Sequence, residues 1–297
     1  MRRKLGFPSP RVHGRILDRE FIVREGTVPS QLDYDYAWVL ACALEAEVFF
    51  DVGANVGYDT LLALLSPTIK RVVLIEANPE ALSVAAENLI HNRLVSRAHF
   101  VPAFAGAVDN TKVKFWTVGT GAAGSIHQSH AVTAARANSF IEVPTITIDT
   151  VCADFCLTPQ LIKIDVEGAE YDVLQGSKAC AEKGQTRYLV EMHSNPQMTM
   201  IANTENVMSW CRELGYQAWY LAEGERLDSP AQTQHRGRCH LLLQPAEWPY
   251  PECLVGIKQS AALETAFTPA MANPTKAQPD QRPASTHVSA KRSDFRL

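Results

Sequence analysis

Four polar side chains close two apolar runs of this chain. Asp165 and Glu167 follow Leu161-Ile162-Lys163-Ile164, and Glu191 and His193 follow Arg187-Tyr188-Leu189-Val190. If both runs are strands, their two-residue repeat puts Glu191 and His193 on the same side. If the strands also run together, carboxylates and an imidazole converge where they end. Those groups suit two chemistries. An imidazole, with an unperturbed pKa of ~6.5, can take a proton at neutral pH. A set that includes a histidine can instead hold a divalent ion, and suits Mn²⁺, Zn²⁺ or Fe²⁺ better than Mg²⁺.

A second group lies upstream, in Asp51-Val52-Gly53-Ala54-Asn55-Val56-Gly57. The glycines let the backbone turn sharply and approach a ligand. Asn55 stands where a dinucleotide fingerprint needs its second glycine, and no Lys-Ser/Thr follows to grip a phosphate. Asp51 would repel phosphate and welcome a cation. Glu76 lies 25 residues after Asp51, where a carboxylate can accept from two ribose hydroxyls. The ligand these features suggest is a nucleoside that carries a positive charge and no phosphate.

The elements that must position these groups alternate. Strands are expected at Val48–Val52, Val72–Glu76, His99–Phe104, Leu161–Asp165 and Arg187–Met192, with further strands at Lys112–Val118 and Ile141–Ile148. Helices are expected at Tyr34–Ala46, at Val56–Ser66, from Asn78-Pro79 onward, around Ala169–Ala181 and through Val207, Trp210, Cys211 and Leu214. A final strand pair is expected at Gln217–Leu221 and Cys239–Leu243. Such alternation argues for a mostly parallel sheet with helices on both faces, and ligands of these sheets bind beyond the C-terminal strand ends. The expected layout is an N-terminal arm and helix over 1–46, one domain over 47–264 and a flexible tail over 265–297. The front, to about Val28, reads as a loose basic arm. The tail is proline-rich and carries +3, against −7 for the remainder.

Composition narrows the classes. With 46% hydrophobic and 20% charged residues in 297, the chain can bury a core. A net charge of −4 gives no reason to expect nucleic acid as a partner. No uncharged apolar run is long enough to cross a bilayer. Arg2, Arg3 and Lys4 are followed by Gly and Pro rather than by the apolar stretch of a leader, so the expected compartment is the cytoplasm. Seven cysteines without a C-x-x-C pair read as reduced, mostly buried thiols.

Phe50 to Gly57 resembles motif I of the class I S-adenosylmethionine-dependent methyltransferases. Leu161-Ile162-Lys163-Ile164-Asp165-Val166-Glu167-Gly168-Ala169-Glu170 resembles the signature of the FkbM-type members, and Ile75-Glu76-Ala77-Asn78-Pro79 and Thr147-Ile148-Asp149 fit the same pattern. The resemblance, over about Val48 to Ser194, implies a Rossmann-like class I methyltransferase fold: a seven-stranded, mostly parallel sheet with its last strand antiparallel. It implies S-adenosylmethionine as cofactor and a hydroxyl of a small metabolite or glycan as acceptor. Gly53, Asn55 and Gly57 would shape the cofactor loop, Asp51 would face the methionine ammonium, Glu76 would hold the ribose, and Pro102 to Ala105 would flank the adenine, with Asp109 a further candidate there. Asp165 and Glu167 would face the transferred methyl. For the acceptor proton, His193 is the first candidate as general base; a metal held by Asp165, Glu191 and His193 is the second. Glu170 reads as a helix N-terminal acid, Lys163 as paired to a carboxylate or reaching solvent, and Gly119 to Ser125, with His127 and His130, as a loop near the acceptor. Glu223 to Arg238 reads as a lid or a long connection. The rivals are a non-catalytic module that binds the same cofactor and a nicotinamide-dependent oxidoreductase. The acceptor's identity and the oligomeric state are not legible.

Overall fold

The computed structural model describes residues 9–31, 33–119 and 124–267. The chain opens with the antiparallel hairpin β1 (Arg11–Ile16) and β2 (Arg19–Arg24), then α1 (Tyr36–Ala43). Alternation follows through β3 (Val48–Val52), α2 (Tyr58–Ala63), β4 (Arg71–Ile75), α3 (Pro79–His91) and β5 (Ala98–Val101). Next come β6 (Phe104–Ala105), β7 (Lys112–Trp116), α4 (Val132–Arg136) and β8 (Phe140–Ile146), whose strands make a separate sheet in the order β6-β8-β7. The chain continues through α5 (Ile148–Phe155), β9 (Leu161–Ile164), α6 (Glu170–Gln175), α7 (Lys178–Glu182), β10 (Arg187–His193) and α8 (Met200–Leu214). It closes the main sheet with β11 (Tyr216–Tyr220), β12 (Glu225–Arg226) and β13 (Arg238–Pro245).

The main sheet has the order β12-β11-β13-β10-β9-β3-β4-β5. β5, β4, β3, β9 and β10 are parallel, and β13 runs antiparallel to both of its neighbours. The seven expected strands are thus present, and the two-residue β12 extends the sheet to eight at its edge. The expected third strand is divided. Pro102, which has no N–H to donate, interrupts the ladder; β5 stays in the main sheet and β6 pairs with β8. The expected helix at 169–181 is also divided, at Gly176-Ser177. A Cβ on Gly176 would lie 2.1 Å from the carbonyl oxygen of Gly106, so the chain needs a bare backbone there.

The front segment expected to be loose is, over Arg11–Arg24, a hairpin packed on α3. Phe21 and Val23 are buried. The Asn92 side chain accepts from the Ile22 N–H and donates to its carbonyl, pairing like a short strand, while Asn88 accepts from Arg24 N–H. The hairpin's apolar alternation is brief and crossed by arginines, which hides it from a pattern reading. At the other end, Leu263–Phe267 make a short 3₁₀ turn against α1; positions 268–297 lie outside the described residues.

The two faces of the main sheet differ. One buries Phe50, Val52, Ile162, Ile164, Val190 and Met192 against α5, α6 and α8. The other begins apolar, with Phe49, Leu161, Leu189 and Leu242 under α1 and α2. One pleat further along, this second face becomes charged. Asp51 pairs in register with Lys163, and Glu191 with His240. Residues two apart on a strand share a face, so Asp165, His193 and Arg238 extend the charged stripe toward the strand ends.

Candidate active site

A cavity of about 600 Å³, including its mouth, opens beyond the C-terminal ends of β3, β4 and β9. Gly53, Asn55, Glu76, Asn78, Ala103, Phe104, Ala105, Phe115, Asp165 and Glu167 contribute to its wall. The loop after β3 is held by backbone. Gly53 and Ala54 donate to the Ile75 carbonyl, and Asn55, at φ +47°, donates its N–H to Glu76 Oε2 at 2.8 Å. The Asn78 N–H donates to Glu76 Oε1 at 2.7 Å. Each carboxylate oxygen of Glu76 thus has one backbone donor and keeps lone-pair capacity for the cavity. Burial raises the Glu76 pKa, and those N–H donors work against the rise. Asn78 also caps α3, accepting from Glu80 N–H with Pro79 in the first turn, as the sequence predicts.

Gly53 is irreplaceable on steric grounds. Its φ is +83°, and a Cβ there would lie 1.8 Å from the Asp165 carbonyl oxygen. Gly53→Ala should cost about 3 kcal/mol or more, read as a collapse in melting temperature or soluble yield. Near-parental stability in that variant would contradict the close packing of the β3 loop on β9.

Asp51 is fully buried and is not in the cavity wall. Its Oδ2 accepts from Thr60 Oγ1 at 2.6 Å. Burial first, then the charge of Asp59, pushes its pKa up to about 7. Its expected place at a bound ammonium is therefore not where the side chain stands. A carboxyl with a native pKa above its unfolded value holds its proton more tightly when folded. Its contribution to stability is lost as pH rises from the unfolded value through about 7. Asp51→Asn should flatten the fall in melting temperature between about pH 5 and about pH 8; parallel parent and variant curves would sink this. Gly57, also at φ +83°, caps α2 and faces Ala85 of α3 rather than the cavity.

The turn Asp165-Val166-Glu167-Gly168 leaves β9 with Glu167 and Gly168 both at positive φ. Ser125 Oγ donates to the Glu167 carbonyl at 3.0 Å, and His130 Nδ1 stands 3.1 Å from Glu167 Oε2 while its Nε2 is 3.0 Å from the Ser194 carbonyl. Ser125 and His130, expected near the acceptor, brace this turn. Most of the glycine-rich loop that precedes them, 120–123, lies outside the described residues. Glu170 is fully buried; Oε1 accepts from Gly168 N–H at 2.7 Å and lies 3.0 Å from His193 Nδ1. It is more than a helix-terminus acid, because it orients the imidazole.

His193 Nε2 stands 3.4 Å from Glu191 Oε1 and 3.6 Å from Glu167 Oε2. Burial disfavours its charge, but Glu170 and Glu191 outweigh that and push its pKa up to about 11. His193 is therefore an imidazolium at neutral pH, a proton donor rather than the expected base. Asp165 is the opposite case. Burial and the nearby Glu191 raise its pKa well above the ordinary carboxylate range, and its Oδ1 has no hydrogen-bond partner among the described residues.

The three residues expected as metal ligands are not brought into one group. Asp165, Glu167 and His193 place ligand atoms within 4.8 Å of one another, whereas Glu191 groups in that way with Asp35 and His240. Glu191 accepts from Arg238 Nη1 at 2.8 Å, and burial notwithstanding, His193, His240 and Lys163 hold its pKa well below the ordinary value. Asp109, the adenine candidate, accepts from Thr147 and Thr150 and so fastens the start of α5. The stretch at Glu223–Arg238 is a connection whose Thr233 is tied to Thr204 of α8. The cysteines are free, and five of the seven are buried.

The FkbM methyltransferase domain matches residues 51–218. The chain belongs to the FkbM methyltransferase family. The match runs from the carboxylate in β3 to β11 and so contains the whole cavity wall. Among solved structures the chain is similar to the FkbM methyltransferase of Methylobacillus flagellatus, at 17% identity over 67% of this chain and 44% of that chain, with a TM-score of 0.43. It is also similar to M. jannaschii TYW2 in complex with AdoMet, at 12% identity over 80% and 85% with a TM-score of 0.43. A third likeness is to the B. subtilis tRNA methyltransferase TrmK, at 11% identity over 73% and 68% with a TM-score of 0.39. The chain spans less than half the length of the M. flagellatus protein. No curated protein matches the sequence. The architecture is the α/β class I methyltransferase fold that the motifs imply. No helix among the described residues is long and apolar enough to cross a membrane.

Proposed function

We propose that this FkbM domain transfers the methyl group of S-adenosylmethionine to a hydroxyl of a small metabolite or glycan, with Asp165 as the proton acceptor. The observation that carries the reading is the pairing of two carboxylates across one cavity. Glu76 is held at one end by a backbone donor on each oxygen. Asp165 stands at the other with a free buried oxygen. Glu76 suits the two hydroxyls of a ribose. The small residues Ala103 and Ala105, with Phe104 and Phe115, suit a flat adenine ring. Gly53 lines the same cavity, its bare Cα packed on the Asp165 carbonyl.

S-adenosylmethionine supplies an activated methyl that needs alignment with a nucleophile and no further activation. The protein's share is the acceptor. A neutral hydroxyl is a weak nucleophile, and a base whose pKa lies near the working pH is the most useful partner. Burial and the nearby Glu191 raise the pKa of Asp165 above the ordinary carboxylate range, which makes it, once ionised, a stronger base than an ordinary carboxylate. As the acceptor oxygen gains the methyl it loses its proton to Asp165. The His193 imidazolium, aimed by Glu170, would hold Glu167 and the acceptor in place by charge.

The test is a host extract incubated with the protein and isotopically labelled S-adenosylmethionine. Label should enter a small-molecule or glycan fraction as an alkali-stable ether. Label in RNA instead would move the acceptor to nucleic acid, and calorimetric uptake of reduced nicotinamide cofactor without uptake of S-adenosylhomocysteine would replace the reading with the oxidoreductase one. Cofactor uptake without product from any fraction would favour the non-catalytic module.

A further inference from the structure

We infer that Lys163 is the built-in cation of the charged stripe and the positioning residue for Asp165. This deepens the methyl-transfer reading and rests on it. Lys163 lies on β9, between β3 and β10, and its side chain is 5% exposed. Its Nζ stands 2.6 Å from Asp59 Oδ2, 3.5 Å from Asp165 Oδ2 and 3.6 Å from Asp35 Oδ2. Three segments thus meet on one ammonium: the residue before α1, the first turn of α2 and the end of β9.

A buried ammonium with no partners would lose its proton. Here burial works against the charge, but Asp59, Asp35, Asp165 and Glu191 together raise its pKa well above that of an exposed lysine. The carboxylates depend on it in turn. Among the described residues, six buried side-chain nitrogen or oxygen atoms lack a hydrogen-bond partner, and five of them belong to this stripe: Asp35 Oδ2, Asp51 Oδ1, Asp59 Oδ1, Asp165 Oδ1 and His240 Nε2. Charge, more than hydrogen bonding, holds these groups. Lys163 and Asp165 are two apart on one strand and face the same way. The short contact to Asp59 anchors the ammonium from above, and the ammonium draws Asp165 Oδ2 toward itself. Asp165 Oδ1 stays buried and without a hydrogen-bond partner among the described residues.

The charged groups that act on Asp165 are Glu191 and His193 on β10, Lys163 on its own strand and Glu167 in its own turn, while Asp35 ahead of α1 and Asp59 on α2 pair with the Lys163 ammonium. Lys163 and His193 are the cations beside it; Lys163 pairs with Asp59 of α2 and Asp35 ahead of α1, and His193 with Glu170 at the start of α6.

The test uses the full chain with Lys163→Met and Lys163→Arg. The readouts are the rate of label transfer from S-adenosylmethionine into host extract and the KM for S-adenosylmethionine. Lys163→Met should cut the transfer rate by about 30-fold with the KM for S-adenosylmethionine within about threefold. Lys163→Arg keeps the charge and displaces it, so the rate should fall only about tenfold. A parental rate in Lys163→Met or in Lys163→Arg would overturn the assignment. If Lys163→Met does not fold, Lys163→Arg decides alone. Failure of the wild-type protein to transfer any label would strike the methyl-transfer reading, whereas label transfer by the wild type that the Lys163 variants match would strike the assignment of Lys163 alone.

Discussion

Asp165→Asn is expected to slow methyl transfer by about 10³-fold and leave S-adenosylhomocysteine binding within a few-fold. The substitution preserves shape and removes the basic oxygen. General-base catalysis commonly supplies about 10²- to 10⁴-fold, and no second carboxylate in the cavity wall is as free. Glu76 is occupied by backbone donors, and Glu167 is in contact with His130. Stability should change little or rise, because the variant relieves the repulsion between Asp165 and Glu191. In the parent the rate should rise with pH as Asp165 loses its proton, with the acid limb well above an ordinary carboxylate value. Rates within tenfold of the parent in Asp165→Asn would remove the base role.

Glu76→Ala should weaken binding of S-adenosylhomocysteine by about 10²-fold or more, measured by calorimetry. Hydrogen bonds to a charged group contribute about 1.5–3 kcal/mol each, and a ribose diol would make two. The variant should also melt earlier, because the Asn55 and Asn78 N–H groups lose their acceptor. That second effect is a check on the first: a thermal shift without a change in affinity would mean that Glu76 only fastens the loops and that the ribose lies elsewhere.

Much of this site was legible before the structure. Gly53 and Asn55 at the end of one strand and Glu76 at the end of the next are local features, and each follows from a residue type at a strand end. Asn78 as a cap with Pro79 after it is likewise a short-range rule. Lys163 stands out in the sequence as a charge inside an apolar run, but its partners Asp35 and Asp59 lie more than 100 residues away in the chain. No spacing rule links them. The charge of His193 likewise depends on neighbours that its residue type does not reveal. Its residue type suits a base, but Glu170 and Glu191 decide its charge, and one of those comes from a different element.

The alternation of strands and helices from Val48 onward, the placing of Glu191 and His193 on one side of their strand, and the family came from the sequence by itself, because periodicity and motifs are properties of neighbours along the chain. Which carboxylate keeps a free oxygen, which histidine is cationic, and where Asp51 points were decided only by tertiary structure. A pKa is set by burial and by charges a few ångströms away, and in this sheet those charges arrive from strands and helices distant in sequence.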